Sequence, residues 1–230
     1  MNSRWILPVL VGLVLAACQA RGPADNRADF RYQWLDYLQG QDIQATCRAD
    51  GPDRVRLIYN ADFNTQIRTF DLFIDNNGAG ILDTRSWISA GSLLRLNGSL
   101  SQVLAPEKSQ TTLSPDQVFQ LTGLLGESGF PGPVPVGEKL RSDSYFWVGL
   151  ACVDGVFGIQ VWSGQDLRNV PFAGLLEQWD PIAEPLPPAS VAPLPPFANV
   201  VAANRRERDA SLLYYEAEVA PSSLRAWWRS

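Results

Sequence analysis

The stretch Ser144-Tyr-Phe-Trp-Val-Gly-Leu-Ala-Cys-Val-Asp-Gly-Val-Phe-Gly-Ile-Gln-Val-Trp162 decides how the rest of the chain is read. Two runs rich in β-branched and aromatic residues flank Asp154-Gly155, the dipeptide of a two-residue type I′ hairpin turn. A two-residue turn fixes register, so Val153 should face Val156, Cys152 face Phe157, Leu150 face Ile159 and Trp147 face Trp162. Side chains alternate across a strand. One face then carries Phe146, Val148, Leu150, Cys152, Phe157, Ile159 and Val161, which is a core face. The other carries Tyr145, Trp147, Gly149, Ala151, Gly158, Gln160 and Trp162. There large aromatics flank small residues, as in a shallow groove that a sugar ring or a partner's helix could enter, or that one of the domain's own helices fills.

Outward from this hairpin the pattern stays mostly antiparallel. Ile43 to Arg48, Arg54 to Tyr59, Ile67 to Ile74 and Ile81 to Ile88 read as strands, with Asp75-Asn76-Asn77-Gly78 as a turn. Ser92 to Leu96 and Ser99 to Leu104 read as a further hairpin around Asn97-Gly98. Helices are few and short. Phe30, Trp34 and Leu38 give an apolar stripe over Asp29 to Leu38. Ser114-Pro115-Asp116-Gln117 opens a second helix as a capping box with proline at the first helical position, and Val118, Leu121 and Leu125 form its stripe. Pro171 to Gln178 reads as a third, presenting Phe172, Leu175, Leu176 and Trp179. Strands with segregated short helices make the fold class α+β, mostly antiparallel sheet.

The organisation expected is a signal peptide over 1–17, a tether over 18–27, a globular domain over 28–180, a proline-rich linker over 181–197 and a tail over 198–230. Seven of the seventeen residues from Pro181 to Phe197 are proline, the composition of a stiff polyproline II spacer. The tail carries Arg205-Arg206-Glu207-Arg208 and ends in Trp227-Trp228, residues of the kind that anchor interfaces, so it reads as an arm reaching for a partner, the alternatives being a tail that folds back on its own domain or stays disordered. No internal repeat is visible, nor a second stretch apolar and long enough to span a membrane.

Composition removes several functions. The chain contains no histidine. Nucleophiles activated by histidine and the usual histidine-based zinc and iron sites are therefore out of reach. Carboxylate-only hydrolases survive that filter, with Asp62, Asp71, Asp75 and Asp83 as the candidate acids, although Arg54, Arg56, Arg68 and Arg85 on nearby strands would pair with them as readily. Asp75 to Gly80 lacks the fifth-position oxygen and twelfth-position glutamate of a calcium loop, those places holding Ala79 and Ser86. No cofactor or metal is expected. The net charge of −5, with no clustered basic face, argues against nucleic acid. Apolar content of 46% supports a packed core.

The N-terminus supplies an address. Arg4 precedes an apolar run from Trp5 to Ala17, the length of a signal-peptide core and too short to span a bilayer. Leu15-Ala16-Ala17-Cys18 resembles the lipobox of bacterial lipoproteins at all four positions. The resemblance covers residues 1–18. It implies export, cleavage before Cys18, lipid on that cysteine and an address in the bacterial cell envelope, facing the periplasm. In that family Asp after the cysteine favours inner-membrane retention, so Gln19 favours the outer membrane. Export also places Cys47 and Cys152 in an oxidising compartment, where an even pair is expected to form one disulfide. Closing a loop of roughly 105 residues would stabilise the fold by about 4–5 kcal/mol in the chain-entropy picture.

The functional expectation is a membrane-anchored envelope lipoprotein that binds or scaffolds another envelope component without catalysis, through Tyr145, Trp147, Gln160 and Trp162 or through Trp227 and Trp228. The alternative is a carboxylate-dependent hydrolase of cell-wall glycan. The expected contacts are thus the membrane, through the lipid, and an envelope protein or glycan.

Overall fold

The Asp154-Gly155 turn forms as its residue types require, with both residues at positive φ (51° and 75°). The computed structural model describes residues 27–63, 65–88, 106–189 and 214–229. In chain order these are α1 (Arg27–Gln39), α2 (Gln41–Thr46), β1 (Arg54–Ala61), β2 (Gln66–Ile74), β3 (Gly80–Ile88), β4 (Glu107–Leu113), α3 (Pro115–Glu127), β5 (Lys139–Arg141), β6 (Tyr145–Val153), β7 (Val156–Ser163), a 3-10 turn (Gly164–Arg168), α4 (Phe172–Trp179), β8 (Tyr214–Ala220) and β9 (Ser223–Arg229). The signal and lipobox residues and the hairpin expected over Ser92 to Leu104 lie outside the described residues.

Six strands form an antiparallel sheet in the order β4-β3-β2-β1-β6-β7. Register across β6 and β7 pairs Val153 with Val156, Cys152 with Phe157, Leu150 with Ile159 and Trp147 with Trp162, as the turn dictates. Both faces of the sheet are covered. On one face Ile58, Ile67, Phe146, Val148, Leu150, Ile159 and Val161 form a core with Trp34 and Leu38 of α1 and Ile43 of α2. A second, three-stranded sheet, ordered β5-β8-β9, closes this core with Leu140, Tyr215, Ala217, Val219 and Leu224. The other face joins Val55, Leu57, Tyr59, Phe70, Leu72, Trp147 and Trp162 to Val118, Leu121 and Leu125 of α3 and to Phe172 and Leu176 of α4.

Local chemistry explains the helix boundaries. Ser114 accepts from the Gln117 amide at 3.3 Å, and Gln117 Oε1 accepts from the Ser114 amide at 2.9 Å, completing the capping box over α3. Gly40, at φ 68°, turns the chain from α1 into α2. The segment expected as a strand from Ile43 to Arg48 is instead the helix α2. Thr46 Oγ1 donates back to the Asp42 carbonyl at 2.8 Å, a bond of the i to i−4 kind found within helices. Ile43 faces the core, and Cys47 follows in extended backbone, bonded to Cys152 with their Cα atoms 5.5 Å apart.

Two further departures concern extent. β4 is an edge strand that the reading of the sequence did not anticipate, because its only buried side chain is Leu113. The linker and tail expected beyond residue 180 belong to the domain wherever they are described. Ile182 is buried, and β8 pairs with β5 while Tyr215, Val219 and Leu224 enter the first core. Alternation of Tyr215, Ala217 and Val219 with Glu216 and Glu218 makes the tail a sheet hairpin with one apolar face.

Candidate interaction surface

The groove expected on the second face of β6 and β7 is filled from within. Phe172 of α4 lies against Trp147 and Trp162, with ring centroids 5.3 and 4.9 Å apart. Phe130 meets Trp162 edge-on at 6.0 Å. Trp162 Nε1 donates to the Ser128 carbonyl at 2.8 Å, and Gln160 Nε2 donates to the Gly129 carbonyl at 3.2 Å. The small residue Gly149 leaves room for the Trp162 ring itself, which a Cβ there would meet at 3.0 Å. Trp147 and Trp162 are buried, so they cannot present a binding surface, and Tyr145 is half-buried at the start of β6. The aromatics stabilise the domain, each ring pair adding roughly 0.5–1.5 kcal/mol beyond its buried area.

The aspartates proposed as acids are engaged elsewhere. Asp71 accepts from Arg54 Nε at 2.7 Å and from Arg56 Nε at 3.1 Å. Arg56, wholly buried, also donates to both oxygens of Asp42 at 2.8 and 2.6 Å and to the Tyr37 carbonyl at 2.9 Å, and stacks over the Tyr37 ring at 3.6 Å. Burial alone would raise the Asp42 pKa; hydrogen bonds and charge from Arg56, then Arg54, hold it below the usual carboxylate value. Burial pushes the Tyr37 hydroxyl up to about 12 despite the nearby Arg56 charge. Asp75 Oδ1 accepts from the Asn77 and Ala79 amides at 2.8 and 3.1 Å, closing the β2–β3 turn. Asp83 accepts from Gln110 at 2.8 Å. Asp62 sits in the β1–β2 turn at φ 54°, its amide donating to the Ser144 carbonyl at 3.3 Å. Asp71 thus builds an ion-pair network, Asp75 closes a turn and Asp83 holds a cross-strand glutamine, while Asp62 shapes a turn through its main chain.

The two tail tryptophans part company because adjacent residues on a strand point to opposite faces. Trp228 turns inward, edge-on to Phe63 and Tyr215 with centroids 5.8 and 5.9 Å apart. Trp227 turns outward and is 43% exposed. It stands on the outer face of the three-stranded sheet. Across that face Arg141 pairs in register with Glu216 and Glu216 with Trp227, while Lys139 pairs with Glu218 and Glu218 with Arg225. Arg141 also forms a two-point bridge to Asp143 at 3.1 and 2.7 Å. An exposed indole thus stands among charges of both signs, on three strands whose inner face packs into the core. This surface offers an aromatic contact within a frame of ion-pairing and hydrogen-bonding groups. Surface charges are well hydrated as they stand, whereas the indole gains most by being covered.

Among the described residues no helix is long and apolar enough to cross a membrane. No protein-family model, curated protein or solved structure matches the chain.

Proposed function

We propose that this protein is a lipid-anchored component of a bacterial envelope that binds another envelope component through the outer face of β5, β8 and β9. The lipobox-like Leu15-Ala16-Ala17-Cys18 supports the address and the anchor. Two or more acyl chains on Cys18 would hold the domain at a membrane, since each buried methylene contributes about 0.8 kcal/mol. The disulfide between Cys47 and Cys152 fits an oxidising compartment.

The observation that carries the binding role is the exposed Trp227, framed by Arg141, Lys139, Glu216, Glu218 and Arg225 on the three-stranded sheet. Tryptophan and arginine are the residues that most often dominate an interface. The hydrolase reading receives no support from Asp71, Asp75 and Asp83, whose carboxylates are committed to arginines, a turn and a glutamine.

Cross-linking in intact cells tests this reading, followed by mass spectrometry of what co-purifies with the full chain. Trp227→Ala should leave the melting temperature unchanged and lower capture of the cross-linked component at least tenfold. Equal capture by the variant would sink the assignment of this surface. Failure of Cys18→Ala to move the protein out of the membrane fraction would sink the anchor.

A further inference from the structure

The outer face of β5, β8 and β9 is small and polar. Three strands about 4.8 Å apart, the longest of seven residues at about 3.3 Å each, give it no more than roughly 300 Å². A stable protein–protein contact takes about 800 Å² from each partner and is built around an apolar centre. Here Trp227 is the one exposed large apolar side chain among the described residues of the face. The face is too small and too charged to carry such a contact alone.

Its charges alternate in sign. One row across the sheet runs Arg141, Glu216, Trp227, and the next runs Lys139, Glu218, Arg225. β8 is the middle strand, so both acids lie along the centre and the cations stand on the flanks. An anionic lipid surface or an acidic polymer laid on this face would meet carboxylates along the midline, and like charges brought together are repelled. In the second row no ion pair forms among the described residues, although Lys139, Glu218 and Arg225 are cross-strand neighbours. Their donors and acceptor are left for something outside the fold. A hydroxyl group both donates and accepts, so a hydroxyl-rich occupant can answer the cations and the acid alike. Arg225 stands two residues from Trp227 on the same side of β9, roughly 6.6 Å along the strand. Aromatic and polar contacts thus sit side by side, within reach of consecutive units of one chain.

We infer that the component held by this face is a neutral glycan strand. The apolar C–H face of one sugar ring covers the Trp227 indole, and the hydroxyls of its neighbour meet Arg225, Glu218 and Lys139. A glycan needs only a few such contacts in a row, where a folded protein partner needs a broad apolar centre. This inference rests on the binding role assigned above to the same face and names its occupant.

Equilibrium binding of fluorescently labelled oligosaccharides tests it, with the full chain kept in a detergent free of sugar headgroups. The probes are hexamers of glucose, mannose and N-acetylglucosamine, with hyaluronate as the acidic comparison. At least one neutral hexamer should bind saturably. Trp227→Ala should weaken that binding at least about tenfold and Glu218→Ala at least about threefold, both without moving the melting temperature, while Trp227→Tyr should keep most of it. Absence of binding by every neutral hexamer overturns the inference, and so does binding that Trp227→Ala leaves intact or a preference for hyaluronate. Cross-linking in cells separates this failure from failure of the surface itself. Should no neutral hexamer bind while Trp227→Ala loses a cross-linked protein, the face is a binding surface whose occupant is not a glycan. Should Trp227→Ala change neither readout, the surface assignment falls as well.

Discussion

Arg56 and Asp71 stand directly opposite each other across β1 and β2, and Arg56 Nη2 lies 2.9 Å from Asp71 Oδ2 inside the core-facing layer. Asp71 is also the carboxylate on which Arg54 closes its two-point contact. Among the described residues, removing that carboxylate leaves a wholly buried guanidinium with only Asp42, whose own side chain is 43% exposed, as its counter-charge. Asp71→Ala is therefore expected to destabilise the domain by about 3–5 kcal/mol, the cost of stranding a buried charge. Urea denaturation at neutral pH measures it. A loss under about 1 kcal/mol would show that the network is as dispensable as a surface pair.

Cys47 and Cys152 tie α2 to β6 over a separation of 105 residues. Replacing both by serine should lower stability by about 4–5 kcal/mol if the bond acts mainly on the unfolded chain. Comparing equilibrium unfolding of the oxidised protein and the double variant checks this.

Alkaline pH should unfold the protein through its tyrosines. Tyr37 is raised from 10.0 to about 12 by burial, and Tyr59 and Tyr215 are raised in the same direction by the same cause. Below pH 10 these hydroxyls are neutral in both states and cost nothing. Between about pH 10 and 12 the unfolded chain ionises first, so each group lowers stability by up to about 1.4 kcal/mol per pH unit. Denaturant midpoints should hold steady from pH 7 to 9 and fall steeply above 10. Tyr37→Phe should soften that fall.

Gly155 combines a φ of 75° with close approach to the backbone of Arg48 and Ala49. A methyl group there meets main chain that cannot swing aside. Gly155→Ala should cost more than the roughly 1 kcal/mol of the backbone preference alone, read as a lowered melting temperature. A stability equal to that of the parent chain would mean that the turn and the loop after α2 move freely apart.

The register of β6 on β7 was legible because a two-residue turn is a local device that leaves no choice of pairing. The α3 capping box was legible for the same reason, since Ser114 and Gln117 satisfy each other within one turn. Ile43 to Arg48 misled because Ile43 and Cys47 suit a strand as well as a single helical turn, and Gly40 decided between them by reversing the chain. β4 carries Glu107, Lys108 and Gln110 at the sheet edge, where an alternating apolar signal is not required. Which aromatic face of the β6–β7 hairpin stays open could not be read locally. Phe172 covers it: the helix that carries Phe172 was legible from its apolar residues, but whether it or a partner fills the face beside Trp147 depends on a contact between elements twenty-five residues apart. The outward turn of Trp227 was legible only once Tyr214 to Ala220 was seen as a strand, and the proline-rich stretch before it suggested an arm instead.

The hairpin of β8 and β9 gives the molecule a timetable. Tyr215, Val219 and Leu224 fill a core begun by Trp34 and Leu38, so the earliest and the latest described elements are packed into one another. A chain emerging residue by residue cannot seal that core until Leu224 has appeared. Until then the inner faces of α1 and β6 stay open to water. A product that stops short of β8 is expected to be held by chaperones or degraded, and the bond between Cys47 and Cys152 can form before the layer that finally shields it arrives.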